Sequence, residues 1–369
     1  MPTDTAAFTR WLDEFFNAYY AHRPVNATFI GVHEHDHRLP DYSDSGVGDT
    51  VAGMEHLLQQ AADLDGEALS AMENIDRRVA EGFLKIQLWE YASNHFQRGN
   101  PSVYTGEAVF GIISLFLTSF APLEERVAAA NARLKAIPAF LAQGKQNVRQ
   151  APLAWTARAV RECRGALALL TEGVDLLIAG EGISDPTFKA AAAGAAAAFA
   201  DFQDYLESEL SQHPTDAAAA GAEAFELYLR HGHFLEQDPA EIERYAEAEM
   251  AEALARLKEA IRAFGANNRR ELLAPLAEIH PPLEHYYERY GELWQMVRET
   301  AEAQELLTWP EFPIRYIPRP DWTRAAAPYL YFLFYRSPAA FNRPPVHDYL
   351  VTPIDATLSR AEQQERLRA

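Results

Sequence analysis

The spacing of apolar side chains predicts amphipathic helices over most of the chain. Phe8, Leu12, Phe15 and Tyr19 follow one another at steps of four, three and four residues, which places them on one helical face. Similar stripes, capping residues and turn residues define the other elements. The predicted helices are 4–22, 24–32, 49–63, 67–98, 122–148 with a break at Pro138, 152–180, 186–212, 222–233, 238–265 and 282–306. The uncharged run 108–123 is too short to span a bilayer and is predicted to be a buried helix.

The pattern changes after Thr308, where prolines become frequent and short β-type runs replace the helical stripes. These runs are 314–317, 329–335 and 347–352. Prolines at this density exclude long helices and restrict strands to edges or small sheets. The sequence therefore predicts an all-α fold, mainly a helical array, with a small antiparallel β-sheet near the C-terminus.

The predicted elements form a single structural unit with three consecutive parts. Residues 1–308 make the helical body, residues 309–355 make the sheet at the edge of a cleft, and residues 356–369 begin a further helix. Asp355 can cap that last helix, but no C-capping residue precedes the end of the sequence at Ala369. We therefore expect the natural polypeptide to continue.

The charge and cysteine content of the chain limit the partners and the cellular compartment that we expect for it. The chain has 33 Lys and Arg against 53 Asp and Glu, and its formal net charge of -20 repels phosphate backbones and anionic lipid surfaces. No nucleic-acid or membrane partner is expected, and the oligomeric state is left open. A single cysteine, Cys163, excludes an intramolecular disulfide, and the first ten residues do not have the pattern of a secretory signal. A cytoplasmic location is therefore expected.

One segment matches the pattern of a zinc site. His33-Glu34-His35-Asp36-His37 satisfies His-Glu-x-x-His, which in zinc hydrolases places two imidazoles on one helical face, and Glu55 follows as a possible third ligand. The turn-forming residues after it favour a loop instead, where side chains four positions apart need not share a face. We expect a hydrogen-bonded polar loop. A small metallopeptidase using His33, His37 and Glu55 is the alternative.

A second set of residues has the alternation of a strand that could bind an extended peptide. Tyr331 and Tyr335 fall at alternate positions of one run, with Arg336 next to Tyr335, and His347 and Tyr349 alternate on a later run. A strand face with these groups could contact peptide backbone or a carboxylate. A half-buried sheet packed on helices is the alternative. The candidate ligand-binding residues are therefore two from the polar loop, His33 and Asp36, and five from the strands, Tyr331, Tyr335, Arg336, His347 and Tyr349. No catalytic residue and no metal ligand is assigned.

The segment 16–43 resembles the opening of the bacterial family known as domain of unknown function 885. Its shared features are a helix, a Pro-x-x-Ala-Thr-x-x-Gly turn from Pro24 to Gly31, and a loop that contains His and Asp. Residues 228–250 and 309–355 are similar to that family too. The resemblance implies a mostly helical fold related to zinc carboxypeptidases, with a His-Glu-x-x-x-Gly-His-His motif downstream of the position that matches Asp355.

This chain ends before any such motif, so the resemblance supplies no zinc ligand or general base among its residues. We therefore expect the N-terminal, substrate-cleft portion of a zinc-metallopeptidase-like protein, inactive by itself, with peptide as its substrate. Zinc is implied for a complete family member and no cofactor for this chain. The alternative to an enzyme fragment is a non-catalytic helical module that binds a peptide or a protein partner.

Overall fold

The structure, a computed structural model, describes residues 4–276, 278–308, 313–330, 335–336, 340–341, 346–355 and 357–367. The prediction of a mainly helical fold with a small C-terminal sheet is confirmed. The α-helices are α1 Asp4–His22, α2 Pro24–Ile30, α3 Asp44–Ala62, α4 Ala71–Ala92, α5 Ser102–Ile113, α6 Leu123–Asn147, α7 Leu153–Ala168, α8 Val174–Glu181, α9 Pro186–Ser208, α10 Ala222–His231, α11 Pro239–Ala263, α12 Arg269–Leu276, α13 Tyr286–Ala303 and α14 Arg360–Leu367. The strands are β1 Ile314–Pro318, β2 Tyr335–Arg336 and β3 His347–Val351. A π-helical turn, Leu169–Gly173, joins α7 to α8.

Contacts divide the described residues into two compact units. Unit 1 contains residues 4–236 together with 321–330 and 340–341, and unit 2 contains the remaining described residues. This division differs from the single unit with a helical body at 1–308 that the sequence predicts. The helices α11, α12 and α13 belong to the same unit as the sheet.

The core of unit 1 lies where α6, α7 and α9 pack together. Leu134 and Ile137 of α6 and Phe199 and Phe202 of α9 are completely buried there. The alanine-rich first half of α9 places small side chains such as Ala195 against its neighbours, which allows close approach of the helices. α6 continues through Pro138, so the predicted break is wrong; its buried side chains hold both halves of the helix in place.

Side-chain caps set the starts of several helices, among them α3 and α4. Ser43 caps α3 by accepting a hydrogen bond from the backbone N–H of Gly46 at 3.1 Å, so this helix starts five residues earlier than position 49, where the sequence places it. Ser70 and Glu73 form a reciprocal capping box at the start of α4. Because Ser43 lies among other turn formers, its capping role is hidden in the sequence.

The sheet of unit 2 has the strand order β1-β3-β2. β2 pairs with β3 in the predicted antiparallel sense, but β1 pairs with β3 in parallel, so the prediction of a purely antiparallel sheet is wrong. The reason is the long connection between β1 and β3, which is sufficient for the crossover that parallel strands need. Arg315 and Asp348 face each other in this register and form two hydrogen bonds of 2.7 and 3.0 Å.

An aromatic stack joins α13 to the sheet within unit 2. The ring of Tyr290 stacks on that of Tyr316 at 5.3 Å and on that of Tyr349 at 6.4 Å, measured between ring centroids. Tyr286, one helical turn earlier, is buried, and its hydroxyl lies 3.2 Å from that of Tyr290. The ring of Tyr290 therefore packs against the sheet, which is a structural role.

Candidate functional site

The buried guanidinium of Arg133 organises the loop that follows α2. Arg133 is completely buried in α6 and donates hydrogen bonds to the backbone carbonyls of Gly111 at 2.7 Å, Arg38 at 2.9 Å and Pro24 at 3.1 Å. It also donates to Thr28 Oγ1 at 2.7 Å. Burial lowers the pKa of Arg133 to about 10. The side chain thus ties α2, the end of α5 and the loop to α6.

The predicted residues His33 and Asp36 lie together beside this arginine. Asp36 Oδ1 accepts a hydrogen bond from Thr28 Oγ1 at 2.5 Å, and Asp36 Oδ2 lies 3.0 Å from His33 Nδ1. The imidazole of His33 stacks flat on Phe120, with 3.7 Å between the ring centroids. We call Thr28, His33, Asp36 and Arg133 the Arg133 clasp. These internal contacts fix the shape of the loop.

The His-Glu-x-x-His match lies in a turn and not on a helix. The structure does not bring His33, His37 and Glu55 together, and across the described residues no group of three or more His, Cys, Asp or Glu is arranged to hold a metal ion. The zinc that the family resemblance implies therefore does not fit the described part of this chain. These residues are accordingly assigned no metal-dependent step.

A second polar cluster lies at the end of α1, between α4 and α5. The Arg23 guanidinium donates a short hydrogen bond to Gln87 Oε1 and lies 4.0 Å from a carboxylate oxygen of Glu90. It also lies over the ring of Phe96, 4.6 Å from the centroid, where a cation–π attraction adds to its binding. Glu90 in turn accepts a hydrogen bond of 2.9 Å from the hydroxyl of Tyr228.

Glu107 of α5 is the unusual member of this cluster. The guanidinium groups of Arg23 and Arg133 both act on its charge, yet Glu107 forms no hydrogen bond and no ion pair within 4.0 Å with any residue that the structure describes. Burial raises the pKa of Glu107, and the two arginines oppose that rise. A half-buried carboxyl group is thus held close to two cations without being bound by either.

Two further polar atoms beside Glu107 lack a partner among the described residues. The hydroxyl of Tyr42, whose side chain is 1% exposed, and Nε of Arg23 both lie buried without a hydrogen bond. Burying such atoms costs free energy unless solvent or a ligand satisfies them. We call Arg23, Tyr42 and Glu107, with Gln87 and Glu90, the Arg23 cluster.

The Arg23 cluster is within reach of the surface. The side chain of Arg23 is 16% exposed and that of Glu90 is 25% exposed, and Glu107 is half-buried. Tyr19 and Asn26 stand at its edge, joined by a hydrogen bond of 2.6 Å from the amide of Asn26 to the hydroxyl of Tyr19. Arg23, Glu90 and Glu107 therefore each keep part of their side chain in contact with solvent.

The strand residues predicted to bind a ligand are placed in unit 2 as far as the structure describes them. Tyr331 lies outside the described residues, and for Tyr335 and Arg336 only the backbone, in strand β2, is described. His347 begins β3 and is half-buried, and Tyr349 is 38% exposed while its ring stacks on Tyr316 and Tyr290. Peptide binding along this strand face stays a prediction.

Sequence reasoning missed Arg23, Glu107 and Arg133, although the sequence singles out one of them, Glu107. Glu107 is the only charged residue of α5, and Arg133 follows the buried Ala130 on the apolar stripe of α6. A lone charge inside an apolar helix must be paired, hydrogen-bonded or functional. That rule selects Glu107 without any knowledge of the fold, but it does not select Arg133, because α6 carries several other charged residues.

Comparison with known proteins places the chain in a family. The family model described as "Bacterial protein of unknown function (DUF885)" matches residues 24–356. The chain belongs to this family. The match begins at Pro24, so it includes α2, the Arg133 clasp, Glu107 and the sheet. No curated protein matches the chain.

A solved structure has the same fold. It is titled as a putative lipoprotein of unknown function from Shewanella oneidensis, and it superimposes with a TM-score of 0.71 at 19% sequence identity. The alignment covers 98% of this chain and 67% of that chain. At this identity the likeness supports the fold alone. In the described part of the present chain, no helix is long and apolar enough to cross a membrane.

Proposed function

We propose that this DUF885 chain is the ligand-holding helical portion of a metallopeptidase-like protein, and that on its own it binds peptides without cleaving them. The Arg23 cluster is the proposed contact region. The observation that carries the proposal is Glu107, a carboxyl group that lies near Arg23 and Arg133 and that no described residue binds. The relation to zinc peptidases rests on the family resemblance.

The polar groups of the cluster match those of a peptide. A guanidinium donates to a carbonyl or carboxylate oxygen, a phenol can donate or accept, and a carboxyl group binds a peptide N–H or an ammonium group. The ring of Phe96, over which Arg23 lies, is half-buried and adds apolar surface, which most ligand sites combine with a few polar groups. We assign binding and orientation to these residues and no step of hydrolysis.

The energetics of Glu107 also favour a role in binding. A raised pKa means that the fold disfavours the charged carboxylate, so at neutral pH this residue lowers the stability of the protein. Natural sequences accept such local conflicts mainly where function requires them. A glutamine of the same shape would remove the conflict and also the charge that a ligand meets.

Binding is tested by calorimetric titration of the purified chain with tetrapeptides that carry a free or an amidated C-terminus. We expect measurable affinity for at least one form and a loss of about tenfold or more in Glu107→Gln. Glu172→Gln is the matched control, because Glu172 is an exposed glutamate of the same unit. A Glu107→Gln variant with unchanged affinity, or a chain that binds none of the peptides, would overturn the proposal.

Cleavage is tested on the same peptides with added zinc and mass-spectrometric detection. We expect intact peptides throughout. Cleavage that disappears in His33→Ala would instead establish the alternative of a small metallopeptidase that uses His33, His37 and Glu55. Because His33 contacts Asp36 and Phe120, the folded state of this variant is checked by circular dichroism before the result is interpreted.

A further inference from the structure

Helix α11 is amphipathic, yet none of its residues is buried. This helix has 25 residues, and a capping box sets its start. The Asp238 side chain accepts a hydrogen bond from the backbone N–H of Glu241 at 2.8 Å, and the Glu241 side chain accepts one from the backbone N–H of Asp238 at 2.9 Å. Pro239 occupies the first helical position, where its fixed φ suits the helix. The helix is therefore well formed without burying any of its side chains.

The exposed face of α11 carries a continuous apolar stripe. Met250, Leu254 and Leu257 are 61, 50 and 40% exposed, and Ile242 and Ile261 extend the stripe in both directions at helical spacing. Single exposed apolar residues are ordinary, but a stripe that follows a helix about 37 Å long marks an interaction surface.

The charges beside this stripe are distributed unevenly along the helix. The first half, residues 239–251, has four glutamates against one arginine, and the second half, residues 252–263, has three basic residues against two glutamates. The helix is thus acidic toward its N-terminus and basic toward its C-terminus. Two such helices attract each other when antiparallel and repel each other when parallel.

From these observations we propose that the apolar face of α11 binds the same face of a second copy of this chain, with the two helices antiparallel. The arrangement has two-fold symmetry, so each acidic half lies against a basic half. In the register that aligns the stripes, Leu254 lies near the two-fold axis and Met250 faces Leu257 of the other copy. Glu249 then lies beside Lys258 of the other copy.

The full chain is tested by sedimentation equilibrium over a loading range of about 1 to 100 µM, the range of weak specific dimers. We expect a reversible dimer whose dissociation constant rises at least about tenfold in Leu254→Lys, since this change places two like charges at the axis. Leu153→Lys is the matched control, because Leu153 is an exposed leucine of α7 that is 57% exposed. A monomer at every concentration, or a dimer indifferent to Leu254→Lys, overturns the proposal.

The antiparallel register is tested by exchanging charges. Glu249→Lys and Lys258→Glu are each expected to weaken the dimer, and the double variant is expected to regain most of the lost affinity, because the opposite charges again face each other. All of these positions are exposed, so the variants are expected to fold normally. A double variant as weak as the sum of the two single changes contradicts the antiparallel pairing.

Discussion

Replacing Arg133 by methionine tests whether the clasp holds the loop after α2 in place. The change keeps much of the volume of the side chain but removes the donors that satisfy the carbonyls of Gly111, Arg38 and Pro24. It also removes a cation that acts on the buried Asp36. A buried polar group that loses its hydrogen-bond partner costs about 1 to 3 kcal/mol, so the loss of several donors at once is expected to cost about 3 to 5 kcal/mol.

The loss is measured by thermal and urea unfolding, with a probe in unit 1. For a unit of this size, about 3 to 5 kcal/mol corresponds to a fall in melting temperature of roughly 10 °C. Lys135→Met is the matched control, because Lys135 is an exposed cation on the same helix, and it is expected to change stability by less than about 0.5 kcal/mol.

Hydrogen exchange locates the effect of the same variant. Amides of residues 31–40 are expected to lose protection in Arg133→Met, because the loop carbonyls at positions 35 and 38 lose their donor. If Arg133→Met unfolds within about 1 kcal/mol of the parent and the loop keeps its protection, the clasp does not determine the loop and the reasoning is refuted.

Three further predictions concern other buried groups. Glu107→Gln is expected to raise the melting temperature at about pH 7 but not at about pH 4. The pKa of Glu107 is raised in the folded state, so its contribution to stability is complete below the unfolded pKa of 4.5 and is lost as pH rises through the folded pKa. Equal effects at both pH values would contradict this reasoning. Cys163 is completely buried, and burial raises the pKa of its thiol, so thiol reagents should react with it only after urea unfolding. Rapid labelling of the native chain would contradict this prediction. Gly82→Ala should destabilise by about 1 to 3 kcal/mol, since its Cβ would lie 2.1 Å from the carbonyl oxygen of His231, whereas Gly53→Ala, with open space around it, should be neutral or slightly stabilising in the same unfolding assay.

The sequence predicted most helices because their apolar stripes and caps are local signals. It also predicted the polar loop at His33 to His37, since Pro40 and the residues that follow it disfavour a helix. It did not predict the parallel pairing of β1 with β3, which depends on how a long connection returns to the sheet. Register between distant strands carries no local signal.

The candidate site could be predicted only in part. His33 and Asp36 were selected as residues of a polar loop, and the structure places them in contact with each other. That their partners would be Thr28 and Arg133 depends on helices about a hundred residues apart in the chain. The Arg23 cluster likewise joins the end of α1 to α4 and α5, and sequence spacing does not report such tertiary neighbours.

The measurement that tests the proposed function most directly is hydrogen exchange of the chain with and without a bound tetrapeptide. We expect added protection at the end of α1 around Arg23, in α4 around Gln87 and in α5 around Glu107, with the peptide recovered uncleaved. Protection confined to β1 and β3, or a peptide recovered in pieces, would contradict the proposed function.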